Sequence, residues 1–221
     1  MRGRRVRAFL FDLDGVLVDS SKIVKRGWEI FAAERGLTIP EADYARAIHG
    51  RRTREILIDY FRLATGEAEG LIAAGFDDKT ALVAEGELVE VPGATDFVRA
   101  SRTLGLRLAV ASSASAPNVA LALRTLGLTA VFDAVVSAAD VSRGKPAPDP
   151  YMCAARKVGV DPQDSVVFED TIFGIASAKA AGARCVAIAT TLQRDDLSMA
   201  DLVINDFRGQ EPAEILRDLG G

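Results

Sequence analysis

The 221-residue sequence has very few of the side chains on which histidine and cysteine chemistry depends. His49 is the only histidine, and Cys153 and Cys185 are the only cysteines. The cysteines are too few and too isolated for a disulfide framework or a zinc site, and each stands among small apolar residues, as buried thiols do. A histidine-based zinc site and a Ser-His-Asp triad likewise lack most of their parts.

Long apolar segments and an excess of positive charge are absent as well. No apolar run reaches the length of a membrane-spanning helix, and the first apolar stretch is too short for the core of a signal peptide. The formal net charge of −4 argues against nucleic acid as a partner. We therefore expect a cytoplasmic protein with no membrane and no nucleic-acid partner. No feature predicts a particular interface, so we expect a monomer or a weak dimer.

What the sequence does contain is a regular alternation of two kinds of segment. Short runs rich in apolar and β-branched residues are typical of buried strands in a parallel sheet. They lie at residues 7–11, 106–112, 132–137, 165–169, 184–189 and 201–205. Helical stretches at 94–104, 117–126, 150–159 and 171–181 separate them, with glycines at their ends as stop signals. This alternation predicts an α/β fold with a Rossmann-like, doubly wound parallel sheet.

The segment from residue 20 to residue 91 interrupts the alternation. It contains no comparable strand, and its pattern predicts helices at 22–35, 41–48, 53–64 and 66–88, with Gly75 as a candidate break in the last. A helical block inserted after the first strand would lie over the carboxyl edge of the sheet. We therefore predict an α/β core made of residues 1–19 and 92–221 and a helical cap made of residues 20–91.

The run FLFDLDGVLVDS, residues 9–20, carries the strongest chemical signal. It places Asp12 and Asp14 two positions apart at the end of an apolar segment, with Gly15 turning the chain. In a strand, side chains two apart share a face, so the carboxylates should stand side by side while Leu13 faces the other way. Two like charges so close need a cation or a proton between them. Such a pair suits a carboxylate nucleophile with its own acid and base.

Polar residues also follow three further predicted strands, where ligands bind in open α/β sheets. They are Ser112 with Ser113, Lys145 in a proline-rich loop, and Glu169 with Asp170. Hydroxyls and a lysine suit a phosphate group, and paired carboxylates suit a hard metal ion. Each feature has an ordinary alternative, which is helix capping for the serines and for Asp170 and a surface turn for the lysine. Four such loops in succession nevertheless indicate one site.

These four segments together resemble a known family. FDLDGVLVDS, the serine-bearing end of LAVASS, GKPAPDPY and VFEDTIFGIASAKAAG are similar to the four motifs of the haloacid dehalogenase-like phosphohydrolases. The motifs come in the same order, and the resemblance covers essentially the whole chain. It implies that Asp12 attacks phosphorus and forms an aspartyl-phosphate. It also implies that Asp14 protonates the leaving oxygen and then activates water.

The same resemblance implies how phosphate and metal are bound. Ser112 and Lys145 would hold the transferring phosphoryl group, with Ser113 as a further phosphate-binding candidate. The implied Mg²⁺ ligands lie at the sheet edge: Asp12, Asp14 through its backbone carbonyl, Asp170, and Glu169 directly or through water. The charge balance agrees, because a phosphate dianion beside Asp12 would be repelled without Mg²⁺ and Lys145.

Within the predicted cap, IHGRRTREIL lies where related enzymes place a loop that faces the substrate. Gly50 would let the backbone approach a ligand, and His49, Arg51 and Arg52 are candidates to touch it. The arginines equally fit a solvated helix surface, and His49 equally fits a structural role. The fragments HGRRT, VEVPGA and AIATTL are similar to sugar and polyol phosphatases of the glycerol-3-phosphatase and 2-deoxyglucose-6-phosphatase type, in the β-phosphoglucomutase-like subgroup.

A mutase of the β-phosphoglucomutase type is the main alternative, and a phosphoglycolate phosphatase is another. In such mutases a threonine and a histidine after the second aspartate couple proton delivery to cap closure, and Val18 and Val24 occupy those positions here. The arginine that grips a second phosphate is matched by Thr53, although Arg51 or Arg52 could replace it. These departures favour hydrolysis of small sugar or polyol phosphates. The motif series disfavours a receiver domain and a catalytically silent binding protein.

Overall fold

A parallel sheet forms the centre of the protein in a computed structural model that describes residues 5–76 and 88–220. In chain order the strands are β1 (Ala8–Phe11), β2 (Val18–Asp19), β3 (Val89–Glu90), β4 (Arg107–Ala111), β5 (Ala134–Val136), β6 (Ser165–Glu169), β7 (Arg184–Ile188) and β8 (Leu202–Ile204). Six of them form one sheet in the order β5-β4-β1-β6-β7-β8, and all neighbours run parallel. The predicted strands and the Rossmann-like, doubly wound fold are confirmed.

Helices cover both faces of this sheet and fill the long connection after β2. They are α1 (Ser21–Ala33), α2 (Glu41–Asp43), α3 (Thr53–Glu55), α4 (Thr65–Ala73), α5 (Ala94–Thr103), α6 (Ala116–Thr125), α7 (Asp149–Lys157), α8 (Ile172–Ala180) and α9 (Pro212–Asp218). Turns of π-helix, Tyr44–Ile48 and Ile56–Tyr60, extend α2 and α3. Of the predicted helix 66–88, the structure describes α4, and residues 77–87 lie outside the described part. The sequence did not predict α9. No helix in the described ranges is long and apolar enough to cross a membrane.

Successive side chains of the central strand β1 point to opposite faces of the sheet, and the core therefore has two layers. Phe9 and Phe11 of β1 point into one layer, with α5, α6 and α9, while Ala8 and Leu10 point into the other, with α7 and α8. All four side chains are fully buried. A strand buried on both faces reads as a continuous apolar run, and this is why the sequence pattern identified the strand.

Aromatic packing holds the first layer together beneath the site. The Phe11 and Phe168 rings stack with centroids 4.7 Å apart, and Phe9 meets Phe168 edge to face at 5.0 Å. Removing a buried ring such as that of Phe168 costs about 3–5 kcal/mol. Because β1 and β6 are adjacent, this cluster fixes the relative position of the two strand ends that carry acidic residues.

The helices between β2 and β3 have a core of their own. Trp28 stacks on Phe61 with ring centroids 5.6 Å apart and also packs against Phe31 and Phe76. The short strands β2 and β3 pair antiparallel, so the chain enters and leaves this helical insert along adjacent backbones. The sequence pattern predicted no strand here, because a two-residue pairing is too short to show a periodicity.

Candidate active site

Asp12 and Asp14 follow the central strand and line the same cavity. The strand ends at Phe11, so both carboxylates belong to a turn, and the strand alternation used to predict their common face does not apply. Leu13 is buried in the core and also reaches the wall of that cavity. Gly15 has φ of 76°, and a Cβ at this position would overlap the Asp170 carboxylate. The turn therefore needs glycine for its backbone conformation and for the close approach of an acidic side chain.

Lys145 reaches from the loop after β5 into the centre of the site. Its side chain is 1% exposed, its Nζ lies 2.8 Å from Asp12 Oδ1, and it donates a hydrogen bond to Glu169 Oε1. Burial opposes the charged lysine, but the two neighbouring carboxylates outweigh this effect and raise the pKa of Lys145. The lysine is therefore a fixed positive charge between a nucleophile candidate and a buried acid.

Both carboxylate oxygens of Glu169 accept hydrogen bonds from other groups of the protein. Oε1 accepts from Lys145 and from Tyr151 OH at 2.6 Å, and Oε2 accepts from the Asp170 N–H at 3.0 Å and from Thr171 N–H and Oγ1. Burial would raise the pKa of Glu169, but Lys145 and these hydrogen bonds lower it overall. The carboxylate is thus ionised and fully bonded, which suits a residue that holds Lys145 and the loop after β6 in place.

Oxygen atoms of Asp12, Glu169 and Asp170 lie within 4.8 Å of one another, and all three residues are buried. Asp12 Oδ1 lies in ion-pair range of Lys145 but outside hydrogen-bond geometry, and Asp170 Oδ1 has no hydrogen-bond partner either. Unbonded buried carboxylate oxygens are costly unless a cation binds them. A hard divalent ion with oxygen ligands fits this set, and Asp170 Oδ1 offers an open position.

The two aspartates after β1 have environments that favour a bound proton. Burial raises the pKa of Asp12 well above its usual range. The charge of Lys145 lowers this pKa, but the nearby acidic groups Glu169, Asp170 and Asp14 raise it again. Burial also raises the pKa of Asp14, although a hydrogen bond from Ser20 and the charge of His49 offset part of the shift. Both groups therefore need a cation or a proton, as the sequence argument anticipated for the pair.

The serines after β4 have different partners. Ser112 is buried, and its Oγ accepts the Ala114 N–H at 3.0 Å, which tightens the turn after the strand. Ser113 lines the cavity and donates to the Gly50 carbonyl at 2.9 Å. The first serine thus shapes the loop, and the second connects the core to the helical insert.

The four candidates from the insert separate into two groups. His49, Gly50 and Arg51 line the cavity beside Asp12 and Asp14. Arg52 does not line it and instead donates to the Ser142 carbonyl at 3.1 Å. His49 is buried and its Nε2 lies 3.1 Å from Asp170 Oδ2; this contact outweighs the effect of burial and raises the pKa of the imidazole. Arg51 pairs with Asp59 and lies over the Phe173 ring, so its guanidinium already has protein partners.

The cavity itself measures about 140 Å³ and lies between the sheet edge and the insert. Its floor carries the acidic pair, whereas much of its wall is apolar and includes Val18, Val24 and Trp28. Polar side chains such as Ser115 and Asn118 complete the lining. The cavity can therefore enclose a small molecule whose charged end lies against Asp12 and Asp14.

Sequence reasoning did not identify several residues that support the site. Ser20 donates to Asp14, Thr191 Oγ1 donates to Asp170 Oδ2 at 2.5 Å, and Tyr151 donates to Glu169. A hydroxyl at the end of the first motif was a visible signal for Ser20, and the fragment AIATTL contained Thr191. Tyr151 is the last residue of the motif GKPAPDPY, which the resemblance to the family had already singled out.

Comparison with known proteins identifies the family. Residues 9–188 match the family model described as haloacid dehalogenase-like hydrolase. Hexitol phosphatase A from Escherichia coli is 36% identical over 206 residues, which cover 92% of either chain. Validoxylamine A 7'-phosphate phosphatase from Streptomyces hygroscopicus subsp. limoneus is 32% identical over 198 residues, covering 90% of this chain and 92% of that protein. The crystal structure of CbbY from Rhodobacter sphaeroides in complex with phosphate superposes with a TM-score of 0.80 at 27% identity, covering 94% of this chain and 98% of that one. The chain belongs to the haloacid dehalogenase-like hydrolases.

Proposed function

We propose that this phosphoric monoester hydrolase is Mg²⁺-dependent and removes phosphate from small sugar or polyol phosphates through an aspartyl-phosphate at Asp12. The observation that carries the proposal is the convergence of Asp12, Asp14, Lys145 and Asp170 at the carboxyl edge of the sheet. Relatives that act on a hexitol phosphate and on validoxylamine A 7'-phosphate support a polyhydroxylated substrate.

The first step is attack by a carboxylate oxygen of Asp12 on phosphorus. A bond forms between Asp12 and phosphorus, and the bond from phosphorus to the leaving alcohol breaks. Because attacking carboxylate and phosphate are both anionic, the step needs positive charge more than elaborate proton transfer. Lys145, 2.8 Å from Asp12 Oδ1, supplies one such charge. Ser112 and Ser113 are the proposed phosphate-binding residues of the adjacent loop.

A metal ion held by the carboxylates is the proposed second source of positive charge. Asp170 carries a buried oxygen that lacks a hydrogen bond, and Asp12, Asp170 and the Asp14 carbonyl are the proposed metal ligands. A bound Mg²⁺ would neutralise the negative charge of the phosphate and the carboxylates. The bonding of Glu169 to five donors supports an indirect role for this residue, through Lys145 and through water.

Asp14 is the proposed acid and base. It gives its proton to the leaving oxygen in the first step, and it takes a proton from the water that attacks the aspartyl-phosphate in the second. Burial raises the pKa of Asp14, which favours the protonated form that the first step requires. The hydrogen bond from Ser20 fixes the orientation of the carboxyl group.

We further propose that residues 20–91 form a cap that opens to admit substrate and closes to exclude bulk water. His49, Gly50 and Arg51 are its proposed substrate-facing residues, since all three line the cavity. Val18 and Val24 also line that cavity, and neither side chain can carry a proton. This observation favours hydrolysis over a mutase that couples proton delivery to cap closure.

The decisive test uses p-nitrophenyl phosphate and hexitol phosphates with purified protein and Mg²⁺. Asp14→Asn should release one equivalent of nitrophenolate in a burst and then turn over slowly, because a good leaving group needs no acid while water attack needs the base. Asp12→Asn should show no burst. Steady turnover by Asp12→Asn at the wild-type rate would contradict the proposed nucleophile.

A further inference from the structure

One segment of the insert contacts the loops that follow two strands of the sheet and the start of the helix that follows a third. In this segment, residues 50–55, the Gly50 carbonyl accepts from Ser113 after β4, and Arg52 Nη1 donates to the Ser142 carbonyl after β5. Arg51 lies over the ring of Phe173 after β6, 5.6 Å from its centroid. We name residues 50–55 the latch segment, because its contacts with the core span the site.

The contact made by Glu55 is the most specific of these. Its Oε1 accepts the Gly144 backbone N–H at 3.1 Å, across 89 positions of sequence. Its Oε2 lies 4.0 Å from Arg51 Nε within the same helical region. One oxygen thus remains with the insert while the other binds the core. Because an ionised acceptor strengthens a hydrogen bond, this contact is stronger than an ordinary backbone bond.

The core side of the contact is shaped to receive the latch segment. A Cβ on Gly144 would lie 2.7 Å from Glu55 Oε1 and would overlap the aliphatic part of Arg52. Glycine at this position therefore allows the insert to approach the loop backbone closely. The next residue is Lys145, whose side chain pairs with Asp12 and Glu169.

We propose that Glu55 is a positioning residue that couples closure of the insert to the backbone of the Lys145 loop. Glu55 holds the Gly144 amide and Arg52 holds the Ser142 carbonyl, so the segment just before Lys145 is clamped on both sides only when the insert is closed. The lysine then reaches its bonded position as the cavity closes around substrate. The inference rests on the proposed function, because it assigns Lys145 a part in phosphoryl transfer.

Hydrogen–deuterium exchange tests this coupling without relying on activity. Glu55→Ala should speed exchange of the peptide containing Gly144 roughly tenfold, the effect of losing a hydrogen bond to a charged group, while β1 and β6 stay protected. Glu55→Gln keeps an oxygen that accepts from the Gly144 N–H but lacks the charge, so its exchange should be closer to that of wild type than to that of Glu55→Ala. Glu69→Ala is the matched control, because Glu69 pairs with Arg54 inside the insert. Glu69→Ala should leave the exchange rate of the Gly144 peptide unchanged.

A second variant approaches the same contact from the core. Gly144→Ala should displace Glu55 and Arg52 and lower kcat/KM for a hexitol phosphate roughly tenfold, as Glu55→Ala should, whereas Glu55→Gln and Glu69→Ala stay within twofold of wild type. Equal exchange in Glu55→Ala and wild type would overturn the proposal. Faster exchange throughout the insert in Glu55→Ala would also overturn it, because that result indicates a merely structural role. The same holds if Glu55→Gln lowers kcat/KM as much as Glu55→Ala does. If wild type hydrolyses no phosphoester, the proposed function fails while the exchange measurement still decides the coupling.

Discussion

Replacing Lys145 by methionine should destabilise the metal-free protein severely. The lysine is 1% exposed and pairs with two buried carboxylates, so Lys145→Met leaves Asp12 and Glu169 without their shared cation. Removing one partner of a buried ion pair costs about 3–5 kcal/mol. In a chain of this size each kcal/mol shifts the melting temperature by about 2–4 °C. We therefore expect the melting temperature to fall by about 6–20 °C at neutral pH.

The pH dependence of this loss follows from Glu169. The pKa of Glu169 is lowered in the folded protein because Lys145 outweighs the effect of burial. Its stabilising contribution is therefore fully present above the unfolded pKa of about 4.3 and is lost as the pH falls through the lower, folded pKa. The difference in unfolding free energy between wild type and Lys145→Met should thus be largest near pH 7 and should shrink in acid.

Thermal denaturation followed by circular dichroism in the presence of a chelator measures this loss. Lys157→Met is the matched control, because Lys157 pairs with Asp140 at 2.6 Å but is 37% exposed, and exposed pairs contribute about 0–1 kcal/mol. The double variant Lys145→Met/Glu169→Gln should recover part of the lost stability, since it removes an uncompensated charge. A Lys145→Met protein that melts at the wild-type temperature, or no lower than Lys157→Met, would refute the reasoning.

Three further predictions concern the same edge of the sheet. Asp12→Asn should lower turnover by roughly 10⁴-fold or more, yet raise the melting temperature of the chelated protein at pH 7, because the pKa of Asp12 is raised and its charged form is disfavoured in the folded state. That thermal gain should disappear as the pH falls to about 4, where the Asp12 carboxyl becomes protonated in the unfolded protein as well. Mg²⁺ at about 100 times its dissociation constant should stabilise wild type by about 2.7 kcal/mol in calorimetry, and Asp170→Asn should abolish most of this gain. Gly174→Ala should destabilise the protein, because the new Cβ would overlap the Glu169 carboxylate, whereas Gly70→Ala, with open space in α4, should stabilise it by about 0.5–1 kcal/mol in chemical denaturation.

The sequence predicted those parts of the fold that local pattern controls. Runs buried on both faces, such as the one at 165–169, have no polar alternation, so they stand out against the amphipathic helices between them. The candidate site residues were also visible, because Asp12, Ser112 and Asp170 directly follow strands and Lys145 lies in the loop after β5, and parallel strands end at one edge. The short strands β2 and β3 and the final helix α9 give no comparable pattern over two to seven residues.

Contacts between the insert and the core could not be predicted in the same way. His49 meets Asp170 across 121 positions, and no local pattern encodes the docking of one helical block on a sheet. Arg51 and Arg52 are adjacent and chemically identical in sequence, yet one lines the cavity and the other binds a core carbonyl. Their difference arises from the direction in which each side chain leaves the turn before α3.

The pairing of β2 with β3 means that the two covalent connections between the helical insert and the rest of the chain lie side by side. Neighbouring antiparallel strands lie only about 5 Å apart, so the two ends of the excised segment would almost touch. An exchange of the whole insert with that of a relative would have two covalent junctions, near Asp19 and Val89, and would also have to match the contacts of His49 and the latch segment with the core. The proposed substrate-facing surface can therefore be replaced as one unit, in evolution or in the laboratory, while the sheet edge that carries the proposed catalytic residues stays intact.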